Sequence, residues 1–338
     1  MLTCSAYAAA SLRMMLTAVA LLLAASEPGP SAAAVGNWTA DVATLTAYRW
    51  SAATAVLAGE LYAIGGSSSS RLGGGGYGWR GFHSDGLSSG EKYDVASGQW
   101  HPIGSMSTGR QEPGVAALGG VIYSVGEGQG EVYHRANDSW TRCIPPMLTP
   151  RSSCAAAALN GLLYVAGGSD MHPNAQTLRS VESYNPANGS WAHAPPMLKG
   201  RYGHALLSLG STANSRGGRD VLVAVGGYAE VTYRMMKEAE VFDGVKWGPI
   251  APMITARAMF GSAVGPGNII YVAGGSDGLH NNKAEGYDPR LDKWFALAPM
   301  PTTRTNCAAG ILGNDLYVLG GSGTCSCVHL TRSAPTYL

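Results

Sequence analysis

Short apolar runs ending in a glycine pair recur along the chain. They read Leu61-Tyr62-Ala63-Ile64-Gly65-Gly66, Leu163-Tyr164-Val165-Ala166-Gly167-Gly168, Val223-Ala224-Val225-Gly226-Gly227, Tyr271-Val272-Ala273-Gly274-Gly275 and Leu316-Tyr317-Val318-Leu319-Gly320-Gly321. A sixth run, Ile122-Tyr123-Ser124-Val125-Gly126-Glu127, keeps only the first glycine. Runs this short, rich in Val, Ile, Leu and Tyr and bounded by Gly, Pro, Asn and Asp, predict β-strands rather than helices. Their first glycines fall at 65, 126, 167, 226, 274 and 320, so a unit with a constant core and variable loops repeats along the chain.

The rest of the unit repeats in register. After the glycines comes Glu-x-Tyr or Glu-x-Phe, at Glu91/Tyr93, Glu131/Tyr133, Glu182/Tyr184, Glu240/Phe242 and Glu285/Tyr287. A polar turn follows, then a tryptophan at 100, 140, 191, 247 or 294. An arginine stands ten or eleven residues beyond each tryptophan, at Arg110, Arg151, Arg201, Arg257 and Arg304, behind a Pro-Met element such as Pro196-Met197. Each unit holds roughly four strand-like runs. One such sheet cannot bury both faces alone, so the units are expected to stack.

This order of Gly-Gly, Glu-x-Tyr and Trp resembles the kelch repeat over about residues 37 to 321. The resemblance implies an all-β fold, a six-bladed kelch-type β-propeller with one four-stranded blade per unit. Trp38 stands eleven residues before Arg49, as Trp140 does before Arg151. The last unit lacks its own Glu-x-Tyr and Trp. The Trp38 strand is therefore expected to complete the last blade, with Val328-His329-Leu330-Thr331 as a candidate third strand. The domain reading is a leader or tail over 1–34 and a propeller over 35–338.

Composition narrows the class further. Of 338 residues 47 are glycine, only 13% are charged and 46% are hydrophobic. That excludes charge-driven disorder and long helices. Lys+Arg (23) and Asp+Glu (22) nearly cancel, so no basic field invites nucleic acid or an anionic membrane.

The N-terminus carries one apolar run, Met14 to Ala25 after Arg13, too short for a spanning helix and suited to a signal peptide. A disordered tail and a signal anchor are the alternatives. Three sequons, at Asn37, Asn137 and Asn188, would accept glycans only in a secretory compartment. The expected location is secreted or secretory-pathway lumen, with cytoplasm as the alternative, and the expected state is a monomer. Of the six cysteines, Cys143 with Cys154, or Cys307 with Cys325 or Cys327, could pair under oxidising conditions.

Candidate ligand-binding residues follow from the implied topology. The repeat arginines precede the innermost strands, where they would ring the channel mouth: Arg110, Arg151, Arg201, Arg257 and Arg304, with Arg49. In kelch propellers that bind acidic peptides, arginines of this kind contact carboxylates, and a guanidinium fork suits that task. The competing reading pairs them with the repeat glutamates. The second-to-third-strand loops at 67–90, 169–181, 228–239 and 276–284 share that face. The first, with Tyr77, Trp79 and Arg80 beside a tetraglycine, has the composition of a binding hot spot. The third offers Tyr228 and Tyr233.

Catalytic signals are weak. Asp170-x-His172 and Asp277-x-x-His280 occupy corresponding loops but define no metal site. No Gly-x-x-x-x-Gly-Lys loop, nucleophile elbow or zinc-protease motif occurs. The sequence therefore points to a non-catalytic platform for a protein or peptide, acidic by the arginine argument, with no cofactor. The alternatives are a substrate-recognition module of a cullin ubiquitin ligase, or a carbohydrate-active propeller such as a sialic acid mutarotase.

Overall fold

The computed structural model describes residues 38–42, 45–68, 86–170, 176–211, 218–229, 234–278, 280–322 and 330–333. They form six four-stranded antiparallel sheets and one two-stranded ribbon, with a single 3-10 turn and no α-helix. The architecture is a β-propeller.

Five blades are each built from four consecutive strands. Blade 1 comprises Ala53–Leu57, Glu60–Ile64, Gly90–Asp94 and Gln99–Ile103; blade 2 comprises Gly114–Leu118, Val121–Gly126, Gln129–His134 and Ser139–Ile144. Blade 3 comprises Ala155–Leu159, Leu162–Ala166, Val181–Asn185 and Ser190–Ala194; blade 4 comprises Ala205–Leu209, Val221–Val225, Ala239–Phe242 and Trp247–Ile250. Blade 5 comprises Gly261–Val264, Ile270–Ala273, Ala284–Asp288 and Lys293–Leu297. A composite sheet takes Ala308–Leu312, Asp315–Leu319 and Leu330–Ser333 from the C-terminal part and Trp38–Val42 from the N-terminal part. The first strands of these sheets touch in cyclic order, and Ala308–Leu312 of the composite sheet meets Ala53–Leu57 of blade 1.

Packing between sheets explains the recurring residues. Four outer-strand tryptophans donate their indole N–H to a carbonyl just past the last strand of the preceding blade. The pairs are Trp140 with Gly104, Trp191 with Pro145, Trp247 with Pro195 and Trp294 with Ala251, at 2.8–2.9 Å. Trp38 does the same to Ala298 at 2.7 Å, which marks its strand as a fourth strand. Apolar clusters fill the wedges between neighbours, such as Val223, Val225, Phe260, Ile270 and Trp294 between blades 4 and 5. The second glycine of the pair is required where backbone passes backbone. Gly227 has φ +94, and a Cβ there would lie 2.8 Å from the Tyr202 carbonyl oxygen.

Candidate functional site

The repeat arginines lie inside the sheets, not at the channel mouth. Arg49, Arg110, Arg151, Arg201, Arg257 and Arg304 are at most 4% exposed. In blade 4 the Arg201 guanidinium donates to the carbonyls of Gly226 (2.8 Å) and Glu238 (3.0 Å), and to Glu240 Oε1 (2.5 Å). Glu240 also accepts the backbone N–H groups of Leu198 and Lys199, so it straps the chain arriving from blade 3 onto blade 4. Arg151 with Glu182 and Arg257 with Glu285 repeat the arrangement at 2.6 and 2.5 Å, and Arg49 with Glu91 and Arg110 with Glu131 at 2.9 and 3.4 Å. Arg304 donates to the Gly320 carbonyl at 3.0 Å. These contacts match the competing reading, in which Arg110, Arg151, Arg201 and Arg257 pair with the repeat glutamates, and Arg304 is buried alongside them. A guanidinium held by a carboxylate and two carbonyls, as in Arg151, Arg201 and Arg257, has its fork engaged within the blade.

What reaches the mouth is the residue two positions after each arginine. Ser51, Glu112, Ser153, Gly203, Met259 and Asn306 all adopt left-handed φ, from +47 to +58. Their backbones form an annulus around the channel. Glu112 N–H donates to Ser51 O, Gly203 to Ser153, Met259 to Gly203, Asn306 to Met259 and Ser51 to Asn306, at 2.8–3.2 Å. The channel below is a cavity of about 650 Å³ lined largely by alanine, valine, leucine and serine from the innermost strands. Small side chains there leave the axis unfilled.

His204, one residue further, is wedged between blades 3 and 4, where Phe260 sits between blades 4 and 5. Both ring nitrogens are buried and without a partner among the described residues. Burial, with the Arg201 and Arg151 charges nearby, pushes the imidazole well below the ordinary histidine range. Below about pH 6.5 the unfolded chain takes up a proton that the folded one refuses, so stability present above that pH is lost as pH falls. We expect Tm to drop between pH 7 and pH 5 and His204→Phe to flatten that slope. An unchanged slope in a pH series of thermal melts would exclude His204 as its source.

Tyr228 lies at the start of the ribbon Tyr228–Ala229/Arg234–Met235, where the other loops place Ser67, Ser169, Ser276 or Ser322. Its ring stacks on Tyr202 with centroids 5.1 Å apart. Tyr77, Trp79, Arg80 and Tyr233 fall outside the described residues, as do His172, Cys325 and Cys327. Asp277 pairs with Lys283 Nζ at 3.3 Å, and no group of three potential metal ligands occurs among the described residues. Cys143, Cys154 and Cys307 are free thiols. Cys143 is exposed on an outer strand, whereas buried Cys154 directly precedes an innermost one, which separates the pair suggested by their spacing.

The sequence reading missed an exposed apolar arc. Leu148, Leu198 and Ile254 occupy the same position after the buried methionine in three successive interblade connections and are 50%, 50% and 58% exposed. Their N–H groups are pinned by Glu182, Glu240 and Glu285, so the side chains must point outward. The equivalent residues Thr46 and Ser107 are polar. Aligning the units on the repeat arginine would have shown this.

Known proteins place the fold in context. The Kelch motif matches residues 51–107, 150–198 and 257–301. The chain is 30% identical to Kelch-like protein 40 of Xenopus tropicalis over 183 residues, 54% of this chain and 28% of that protein. It is 28% identical to Kelch-like protein 25 of Xenopus tropicalis over 255 residues, 70% of this chain and 41% of that protein. It thus spans less than half the length of these curated relatives. The solved structure of YjhT superposes with a TM-score of 0.65 at 14% identity, covering 86% of this chain and 95% of that one.

Proposed function

Because the chain carries kelch repeats and folds as a β-propeller, we propose that it is a binding platform for a protein or peptide. The observation that carries this is the arc of Leu148, Leu198 and Ile254. Three large aliphatic side chains, at least half exposed and repeated on adjacent connections, mark an interaction surface more than a solvated one. The arc lies on the face that also bears the second-to-third-strand loops and the mouth of the channel. Blade topology puts both kinds of connection at the same end of the sheets.

The triple variant Leu148→Asp/Leu198→Asp/Ile254→Asp is expected to abolish partner capture by the full chain. Its folding stability should stay within about 0.5 kcal/mol per site, because these side chains bury little. Capture equal to wild type would move the site elsewhere.

A secretory location belongs to the same proposal. The sequon residues Asn137 and Asn188 are exposed in third-to-fourth-strand turns, at the opposite end of the sheets from the apolar arc. Glycans there would leave the binding face clear. A glycosidase-sensitive mass shift at either site is expected on expression through a secretory pathway, and unmodified protein in the cytosol would remove this part of the reading.

A further inference from the structure

Glu112, itself half-buried, stands apart from the buried repeat glutamates. Glu91, Glu131, Glu182, Glu240 and Glu285 each face an arginine. Glu112 lines the channel and accepts from two neutral hydroxyls, Ser51 Oγ at 3.1 Å and Ser153 Oγ. Burial pushes its carboxyl above the usual carboxylate range, and no nearby cation counters that. The other titratable groups lining the channel are Cys154, His204 and Cys307, none of them cationic in these surroundings. A carboxyl held this way is costly without a charge partner. The ring does not need one, since the same position elsewhere is Ser, Gly, Met or Asn.

The surroundings define what could complete it. Asn306, Ser51, Glu112 and Ser153 are consecutive around the annulus and form a polar crescent. Ser51 Oγ has one proton yet lies near both Glu112 Oε1 (3.1 Å) and Asn306 Oδ1 (3.2 Å). With the Asn306 amide turned over, Nδ2 donates to Ser51 and the serine proton goes to Glu112. Across the ring, Gly203 has no side chain and the Met259 thioether lies over it, within 2.7 Å of where a Cβ would stand. Glu112 therefore keeps carboxylate lone pairs, beside the Ser51 and Ser153 hydroxyl oxygens, on one side of the opening, and an apolar wall stands on the other.

We propose that the mouth of the central channel binds a primary ammonium group, the side chain of a lysine presented by the bound partner, with Glu112 as its counter-charge. A compact ammonium with three donors suits acceptors gathered around a point better than a planar guanidinium does. The lysine stem would lie against the Met259 side of the mouth. The lysine source rests on the platform reading; the ammonium site itself does not.

The test uses the full chain and n-butylammonium as the probe. The side-chain carboxyl ¹³C resonance of Glu112 is expected to shift saturably with n-butylammonium and not with n-butanol. Glu112→Gln should weaken binding on the order of tenfold or more. That variant should also melt at or above the wild-type temperature at pH 7. A carboxyl with a raised folded-state value loses stability as pH rises past its ordinary range, and the amide avoids this. A resonance indifferent to n-butylammonium, an equal response to n-butanol, or equal binding by Glu112→Gln would overturn the proposal. Ammonium binding through Glu112 in a chain that captures no protein partner would keep this site and retire the platform reading.

Discussion

Arg201→Ala is expected to cost about 3–5 kcal/mol of folding stability, a large share of the total that holds a domain folded. The change strands the Glu240 carboxylate at 3% exposure with only the Leu198 and Lys199 N–H groups for company. It also removes the donors to the Gly226 and Glu238 carbonyls. In a thermal melt this corresponds to a loss on the order of 10 °C. Arg201→Lys should recover little, because an ammonium cannot reach two carbonyls and a carboxylate as a fork does. The double variant Arg201→Ala/Glu240→Ala should cost less than the sum of the two single changes, since it leaves no buried charge behind. A single Arg201→Ala chain as stable as wild type would show that the latch contributes nothing and reopen the arginine for other roles.

The latch also shows where sequence reasoning stops. Gly-Gly, Glu-x-Tyr and Trp were readable because each reports a constraint that recurs at its own position: a positive φ at Gly227, a carboxylate holding the incoming chain at Glu240, an interblade hydrogen bond at Trp247. The closing strand was readable for the same reason, from the interval between Trp38 and Arg49. The direction of a side chain was not. A repeated arginine before an innermost strand fits a channel mouth and a buried latch equally well in one dimension. Only the fold shows that the carbonyl of each first glycine lies within its reach. Leu148, Leu198 and Ile254 were overlooked because a leucine after a methionine looks like core. It is the glutamate bond to the leucine's own N–H that turns the side chain outward. Glu112 was invisible for a further reason, since its meaning lies in breaking a pattern at a position that carries no motif.

Deleting residues 1–44 is expected to damage the fold more than losing any one latch. Trp38–Val42 pairs with Leu330–Ser333 through Trp38↔Ser333, Thr39↔Arg332 and Val42↔Leu330. It is the segment through which the N-terminal part of the chain enters the composite sheet. Without it that sheet ends at Leu330–Ser333, an unpaired edge open to other chains. Trp38, half-buried, is also lost from its packing against Phe295, Leu297 and Leu316, a contribution of about 1–2 kcal/mol. The contact between Ala308–Leu312 and Ala53–Leu57 would then join two sheets no longer tied by the chain that runs from Trp38–Val42 into blade 1, which removes the high local concentration of one for the other. The expected result is a chain that elutes larger than wild type, binds hydrophobic dyes and unfolds without a sharp transition. Trp38→Ala should keep the transition but lower Tm, because the strand's backbone pairing survives. A peptide spanning residues 36–48, added in trans, should restore part of the cooperative melt by refilling the fourth-strand position. A truncated chain that melts like wild type would mean that the ring closes through its innermost strands alone, with the N-terminal strand serving only as a cover for an edge.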